Sequence, residues 1–213
     1  MKLKIHKKSK KVLILILLLL LVFSGLQLSF TALIPKTIME ETVQFEATCQ
    51  PSVGYQVMIN PNEVYSGTVQ NEGEIYSKKL LNYIQTDFDI KYLCSKPVPL
   101  DIEYQILATV NGYEGKDKDK VNYWSKSFPI TNKKVIKDEN GSSWSKKERV
   151  NFQLSPYDAF VTRAKEITGM DVSNEVLLSM TGKITAHTGK EDLEIPINTS
   201  ILIPLMEDVF RIK

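Results

Sequence analysis

Histidine is nearly absent from this chain: there are two among 213 residues, His6 and His187. His6 falls in a basic N-terminal tail, so His187 stands alone at the end of a predicted strand, where its ordinary role is that of a solvated loop residue. A single histidine cannot build a His-rich metal site. The H-E-x-x-H, G-x-S-x-G and phosphate-cradling glycine motifs are also missing. No catalytic, cofactor-binding or metal-ligating residue is therefore assigned, and the expectation is a protein that is not an enzyme and carries no cofactor. Basic runs are scarce as well: beyond Lys11 none exceeds two residues, which leaves no footprint for a phosphate backbone and argues against nucleic acid as a partner.

Cysteine is limited to Cys49 and Cys94. An even count in an exported domain permits a disulfide. Each cysteine closes a predicted strand on its apolar face, so cross-sheet pairing is geometrically open. Closing that loop would contribute about 3–4 kcal/mol on the chain-entropy model. The competing reading is two separate buried thiols that pack as small hydrophobes, and both readings stand.

What the chain does have is a long apolar run. Between Lys11 and Lys36 lie 24 consecutive uncharged residues. As a helix they would span roughly 36 Å, enough to cross a hydrocarbon core of ~30 Å. A signal peptide would share the basic start but end in small residues at a cleavage site. Here Phe30 precedes Ala32 by two and Phe23 precedes Gly25 by two, and Val22-Phe23-Ser24 makes only a poor site. The favoured organisation is a basic cytoplasmic tail (1–11), a transmembrane signal-anchor helix (12–34) and an extracytoplasmic β-rich domain (35–213). A cleaved signal peptide is the alternative. The tail holds six of the 27 basic residues and no acid, so 21 basic stand against 25 acidic residues beyond Lys11. By the positive-inside rule that tail stays in the cytoplasm, and the domain outside is mildly acidic.

Beyond Lys36 the hydrophobic pattern switches to period two, the mark of half-buried strands. Val43, Phe45, Ala47 and Cys49 alternate with polar residues; so do Val53, Tyr55, Val57 and Ile59, then Phe88, Ile90, Tyr92 and Cys94, then Ile102, Tyr104, Ile106, Ala108 and Val110. The charged stretch EGKDKDK reads as a hairpin loop, returning through Trp124, Phe128 and Ile130. Residues 131–147 are polar and contain an Asn-Gly turn signal, which makes them a candidate subdomain break or long hairpin. A strand through Val150, Phe152 and Leu154 follows, and then one helix at about 156–168. Ser155 and Asp158 form a capping-box pattern around Pro156; Tyr157, Phe160, Ala164 and Ile167 lie at helical spacing; Gly169 suits the C-terminal stop. NEVLLSMTGKITAH and LEIPINTSILIPL read as two more long strands, with DVFRIK as a short one. The fold class is mainly β: an antiparallel β-sandwich-like exported domain with one inserted helix.

Some constellations ask for chemistry and have plainer explanations. Ser125–Lys126 and Ser145–Lys146 contain the residue types of a Ser–Lys dyad, but neighbours on a strand point to opposite faces. Asp117 and Asp119 are spaced as in some calcium loops, without the glycine and glutamate that complete them. Tyr104, Tyr113, Tyr123, Trp124 and Trp144 suit a carbohydrate-stacking surface, yet aromatics at strand spacing usually pack in a core. Trp144, in a polar stretch, is the one expected to be exposed.

The runs YQVMINPNEVYSG, FDIKYLCSKPVPLDIEYQILATVNGYEG, YWSKSFPI, LSPYDAF and ILIPL together resemble the domain of unknown function 5305 family of archaea and clostridia-like bacteria. The resemblance covers roughly Tyr55 to Ile212. It implies a membrane-anchored surface protein, of a kind often encoded beside a type I signal peptidase. The family has no assigned active site, so no catalytic residue carries over. Many members continue past the IPL strand to a second membrane segment; no second apolar run occurs before Lys213, which points to a shorter variant or a truncated product. The expected function is binding or scaffolding at the cell surface, with the membrane and an envelope protein as partners. The alternatives are an exported hydrolase or processing accessory, and a surface-fibre subunit released by cleavage near Ser24.

Overall fold

The computed structural model describes residues 14–24 and 45–213, apart from the side chain of Asp117. Residues 14–24 are helical, and the apolar side chains from Ile14 to Phe23 are exposed. Among the described residues no helix is long and apolar enough to cross a membrane. The expected 12–34 anchor is thus represented by its 14–24 portion alone; its remainder and the 1–11 tail lie outside the described residues.

Phe45–Lys213 forms one compact unit, mainly antiparallel β. Its strands are β1 (Ala47–Ile59), β2 (Val69–Gln70), β3 (Tyr76–Ser77), β4 (Leu81–Glu114), β5 (Val121–Pro129), β6 (Lys134–Phe152), β7 (Ser173–His187), β8 (Asp192–Leu205) and β9 (Val209–Phe210). Seven of them form one sheet in the order β2-β1-β4-β7-β8, with β5 and β6 also paired to β4; β3 and β9 make a separate two-stranded ladder. The period-two pattern decides which residues face inward. On β4 the even-numbered residues Ile84, Phe88, Ile90, Leu100, Ile102, Ile106 and Val110 are fully buried, while the odd ones face outward.

At 34 residues, β4 is the organising element. The sequence reads it as two strands, one ending at Cys94 and one starting near Ile102. It is in fact continuous, and it serves two sets of partners. Along one edge, Leu81–Cys94 pairs with β1 and Leu100–Tyr113 pairs with β7. Pro97 and Pro99 fall in the gap between those ladders, where the missing N–H costs no bond on that edge. The register on the other edge, against β6, slips twice in this stretch, between Leu93 and Val98 and between Val98 and Leu100.

The side chains show how sharply the sheet turns there. Phe152 is paired with Ile84 and Phe128 with Ala108, yet both rings meet Tyr157, Phe152 stacked at 4.8 Å between centroids and Phe128 edge-on at 5.6 Å. Tyr104 donates a 2.8 Å hydrogen bond to Glu148, which is paired with Phe88. Rows equidistant from residue 96 therefore face each other, and the two halves of the sheet enclose one shared apolar core. Strand β6 bends alongside. The Asn-Gly signal read as a turn or subdomain break is instead an irregularity within this continuous strand: Gly141 pairs with Val98, and a Cβ there would approach Leu100 Cδ1 to 2.5 Å. The glycine marks a close approach rather than a chain reversal.

The helix Ser155–Thr168 closes the core at the end away from this bend. Pro156 sits in its first turn and Gly169 ends it in the left-handed region (φ 68°), donating to Lys165 O at 2.8 Å. The capping box does not form, because Leu154 occupies the N-cap position and no side chain caps the helix. Asp158 is used elsewhere, as described below. Tyr157, Phe160 and Val161 make the packed face, whereas Ile167, expected on it, is 75% exposed.

Candidate functional site

The residues singled out by chemistry are mostly paired off. His187 is not a lone loop residue: its Nδ1 lies 2.9 Å from Asp192 and its Nε2 lies 3.4 Å from Asp101, joining β7 to β8 and β4. The hydrogen bond to Asp192 holds His187 above its ordinary pKa; partial burial opposes this, and Asp101 adds to the rise. Among the described residues no group of three His, Cys, Asp or Glu side chains is arranged to hold a metal ion. The Asp117–Asp119 segment is a single 3-10 turn in the β4–β5 hairpin. Among the described residues no serine hydroxyl is hydrogen-bonded to a lysine; Ser127 instead pairs with Thr109 at 2.9 Å.

Both cysteines are free thiols. Cys49 pairs with Tyr92 and Cys94 with Ala47, so the two sulfurs share a face on adjacent strands but on a diagonal. Diagonal Cα atoms stand about 7–8 Å apart, beyond the usual reach of a disulfide. Burial raises the Cys49 thiol, and Cys94 Sγ approaches Lys96 O at 3.0 Å.

The aromatics sort differently from expectation. Trp144 belongs to β6 rather than a loop and faces inward, its ring 6.3 Å from that of Tyr104. Beside it, Glu148 accepts from Lys134 at 2.7 Å and from Tyr104. Burial works to raise Glu148, but these two hydrogen bonds outweigh it and hold the carboxyl below its ordinary range. The Tyr104 phenol is pushed up, first by burial and then by its bond to Glu148. Charged groups pointing inward from β6 also guard an edge strand against pairing with another chain.

Trp124 builds the candidate site. It lies in a row across four strands that reads Trp124, Gly112, Asn174, Leu205. Gly112 has no side chain, and the indole occupies the space a Cβ would need: the nearest ring atoms would stand 2.2 Å away. The β4–β5 register slips at the next residue, a bulge adjoining the site. Phe160 meets the indole edge-on at 5.9 Å. Between this ring, Val161, the segment after the helix and Met206 lies a cavity of about 290 Å³.

Three details set this cavity apart from ordinary surface. Asn174 lines it, and its Nδ2 donates to Val172 O at 2.6 Å, which fixes the amide's orientation and leaves Oδ1 buried without a partner. An orphaned buried acceptor is uncommon and costly. Met206, also in the lining, is the one non-glycine residue with positive φ (64°) among those described. Its N–H donates to Asp158 at 3.2 Å, and the same carboxylate holds Lys78 at 2.7 Å. Held backbone strain of this kind gathers at functional sites. Finally, Met170 and Met206 are 43% and 52% exposed at the rim, beside a 2.7 Å Lys165–Asp171 ion pair. The signal for this site in the sequence was Gly112 inside an otherwise clean strand pattern.

A second, more polar concavity lies outside β1, β4 and β6. Gly54 forms part of its floor, and Asp87 there takes a bidentate pair from Arg149 at 2.7 and 3.0 Å. The hydrogen bonds from Arg149 dominate in holding Asp87 below its ordinary range. Here Asp87 is already partnered, by Arg149 and by Lys147 at 3.3 Å.

No family model matches the chain, and no curated protein does. Among solved structures the chain is similar to the crystal structure of the "Putative ApaA Protein" from Bordetella pertussis, at 8% identity over 76% of this chain and 96% of that one, with a TM-score of 0.29. Similarity of that size does not bear on fold or function.

Proposed function

We propose that this chain is a single-pass membrane protein of the domain of unknown function 5305 kind. Residues 12–34 anchor it with the N-terminus inside, and it displays a β-sandwich-like domain whose task is to bind an envelope protein. The observation that carries the binding role is the position of the Trp124 cavity. The chain leads into the compact unit at Ala47, which pairs with Cys94 beside the bend. The cavity lies at the other end, where the 13 residues of β1 finish, roughly 40 Å along that strand. Within this unit the cavity, the helix and the exposed methionines thus gather at the end opposite its first strand residue. Methionine-lined openings adapt to the shape of a protein partner.

The test places a photo-crosslinking residue at Met170 in intact cells and compares the native chain with Thr162→Phe, which fills the cavity from an exposed position on the helix. A crosslinked species lost in Thr162→Phe is the expected result; an unchanged crosslinking pattern would remove the cavity from the function. N-terminal sequencing of the mature protein checks the anchor separately. A start within residues 1–11 keeps it, and a start near Ser24 replaces it with a cleaved signal.

A further inference from the structure

Resting on the reading of this domain as exported, we infer that Asn140 is the acceptor for an N-linked oligosaccharide. Such glycans are carried in exported chains by asparagine in the pattern N-x-S/T, with x other than proline. Two asparagines stand in that pattern, Asn140 with Ser142 and Asn198 with Ser200. All four of these residues are exposed, so exposure does not choose between the two asparagines.

The backbone does. A transferase draws the asparagine and the hydroxyl two residues on into a groove of its own, so both must leave any pairing they have. Asn198 lies inside an unbroken ladder, in which every residue from Asp192 to Leu205 has a partner on β7. Lifting Asn198 to Ser200 from it means breaking a regular sheet. Around Asn140 the ladder is already open. Between Asp138, which pairs with Leu100, and Ser143, which pairs with Leu93, only Gly141 has a partner on β4. Among the described residues β6 has no second neighbouring strand to hold it from the other side. The Asn140 N–H is turned to a local acceptor instead, Asp138 Oδ1 at 3.2 Å. Gly141, the middle residue of the pattern, brings no side chain between the amide and the Ser142 hydroxyl.

In the transfer, the Asn140 carboxamide nitrogen attacks the anomeric carbon of an oligosaccharide carried on a polyprenyl phosphate lipid. A C–N bond forms, and the C–O bond to the carrier phosphate breaks, its electron pair leaving with the phosphate. The amide proton passes to a base of the transferase, and the Ser142 hydroxyl fixes the register of the acceptor in its groove. The glycan then stands over the interrupted part of an edge strand, the place least protected against pairing with another chain.

The test isolates the full chain from the membranes of its own host and reads its tryptic peptides by mass spectrometry. Asp138–Lys146 contains Asn140 as its sole asparagine, and Glu191–Arg211 contains Asn198 as its own. The first peptide is expected to carry a saccharide mass and the second to be largely bare. Asn140→Gln and Ser142→Ala should each remove that mass completely, while Ser143→Ala, which leaves the pattern intact, should keep it. A bare Asn140 in the native chain, a glycan kept in Asn140→Gln or Ser142→Ala, one lost in Ser143→Ala, or equal occupancy at Asn198 would each overturn the inference. Protease added to intact cells separates this failure from that of the export reading. If the domain is cut from outside while Asn140 is bare, export stands and the glycan falls; if the domain is protected and Asn140 is bare, both fall.

Discussion

The two ends of the sheet differ in how their backbone is held, though both pair charges across strands. At the bend end, charges answer one another across strands: Asp101 with His187 and, at 3.5 Å, with Lys137; Glu103 with Lys133 at 2.6 Å; Lys183 with Glu194. At the far end, a buried amide oxygen has no partner, a methionine is held in the left-handed region, and the charges of Asp158 are spent on keeping it there. The bend end pairs its charges while leaving the Tyr92 hydroxyl buried without a partner, and the far end adds a held backbone conformation to an orphan of its own.

Paired glycines test this contrast with the largest expected effect. In Gly182→Ala the new Cβ would stand 2.0 Å from Glu103 O and 2.7 Å from Tyr104 Cα, both backbone in the central β4–β7 ladder. Nothing there can swing aside, and a loss of about 3 kcal/mol or more is expected in chemical denaturation. In Gly112→Ala the clash is with the Trp124 side chain, which can turn out of the row. The expected loss is about 1–2 kcal/mol, with a change in tryptophan emission that Gly182→Ala lacks in its folded fraction. Equal costs, or no emission change in Gly112→Ala, would mean the far end is packed as rigidly as the bend.

Smaller changes sharpen the same comparison. Asp158→Ala removes both the Lys78 bridge and the acceptor for the Met206 N–H, at an expected cost of about 1–2 kcal/mol, since both side chains of the pair are largely covered. Met206→Gly should do the reverse and stabilise by about 0.5–1 kcal/mol, because glycine adopts positive φ without strain. A denaturation midpoint that does not rise in Met206→Gly would argue that no strain is held there.

The least effect belongs to His187. Its folded-state pKa is raised by Asp192 and Asp101, so its stabilising contribution is complete below the ordinary histidine pKa and is lost as pH rises through the elevated folded value. Asp192→Asn should flatten that part of the stability–pH curve while leaving the far-end cavity unchanged. A slope that persists in Asp192→Asn would assign it to another group.

Local alternation made much of the fold legible, and pairing across distance hid the rest. The inward faces of β1, β4, β7 and β8 follow directly from Val53–Ile59, Phe88–Cys94, Ile102–Val110 and the apolar runs near the C-terminus. What misled were turn signals inside strands. Pro97, Pro99 and Asn140–Gly141 carry the residue types of chain reversal, yet they mark a coordinated bend in two paired strands. Only the register between β4 and β6, set by residues some 40 apart, tells a bend from a turn. The capping box failed for a related reason: Asp158 found Lys78 and Met206, far along the chain, rather than its own helix. The candidate site was illegible because Gly112, Trp124, Asn174 and Met206 come from four separate segments. The isolated Gly112 was its one local trace.

The length of β4 also has a consequence in time. Its first half needs β1, already synthesised, but its second half needs β7, whose residues arrive only near the end of the chain. Because one strand belongs to both halves of the sheet, no cut leaves either half with a complete ladder. A chain emerging N-terminus first can pair β4 with β1, β5 and β6 early, but not with β7. The β4–β7–β8 ladder is therefore complete only once Leu205 is out, a long-range pairing of the kind that slows folding.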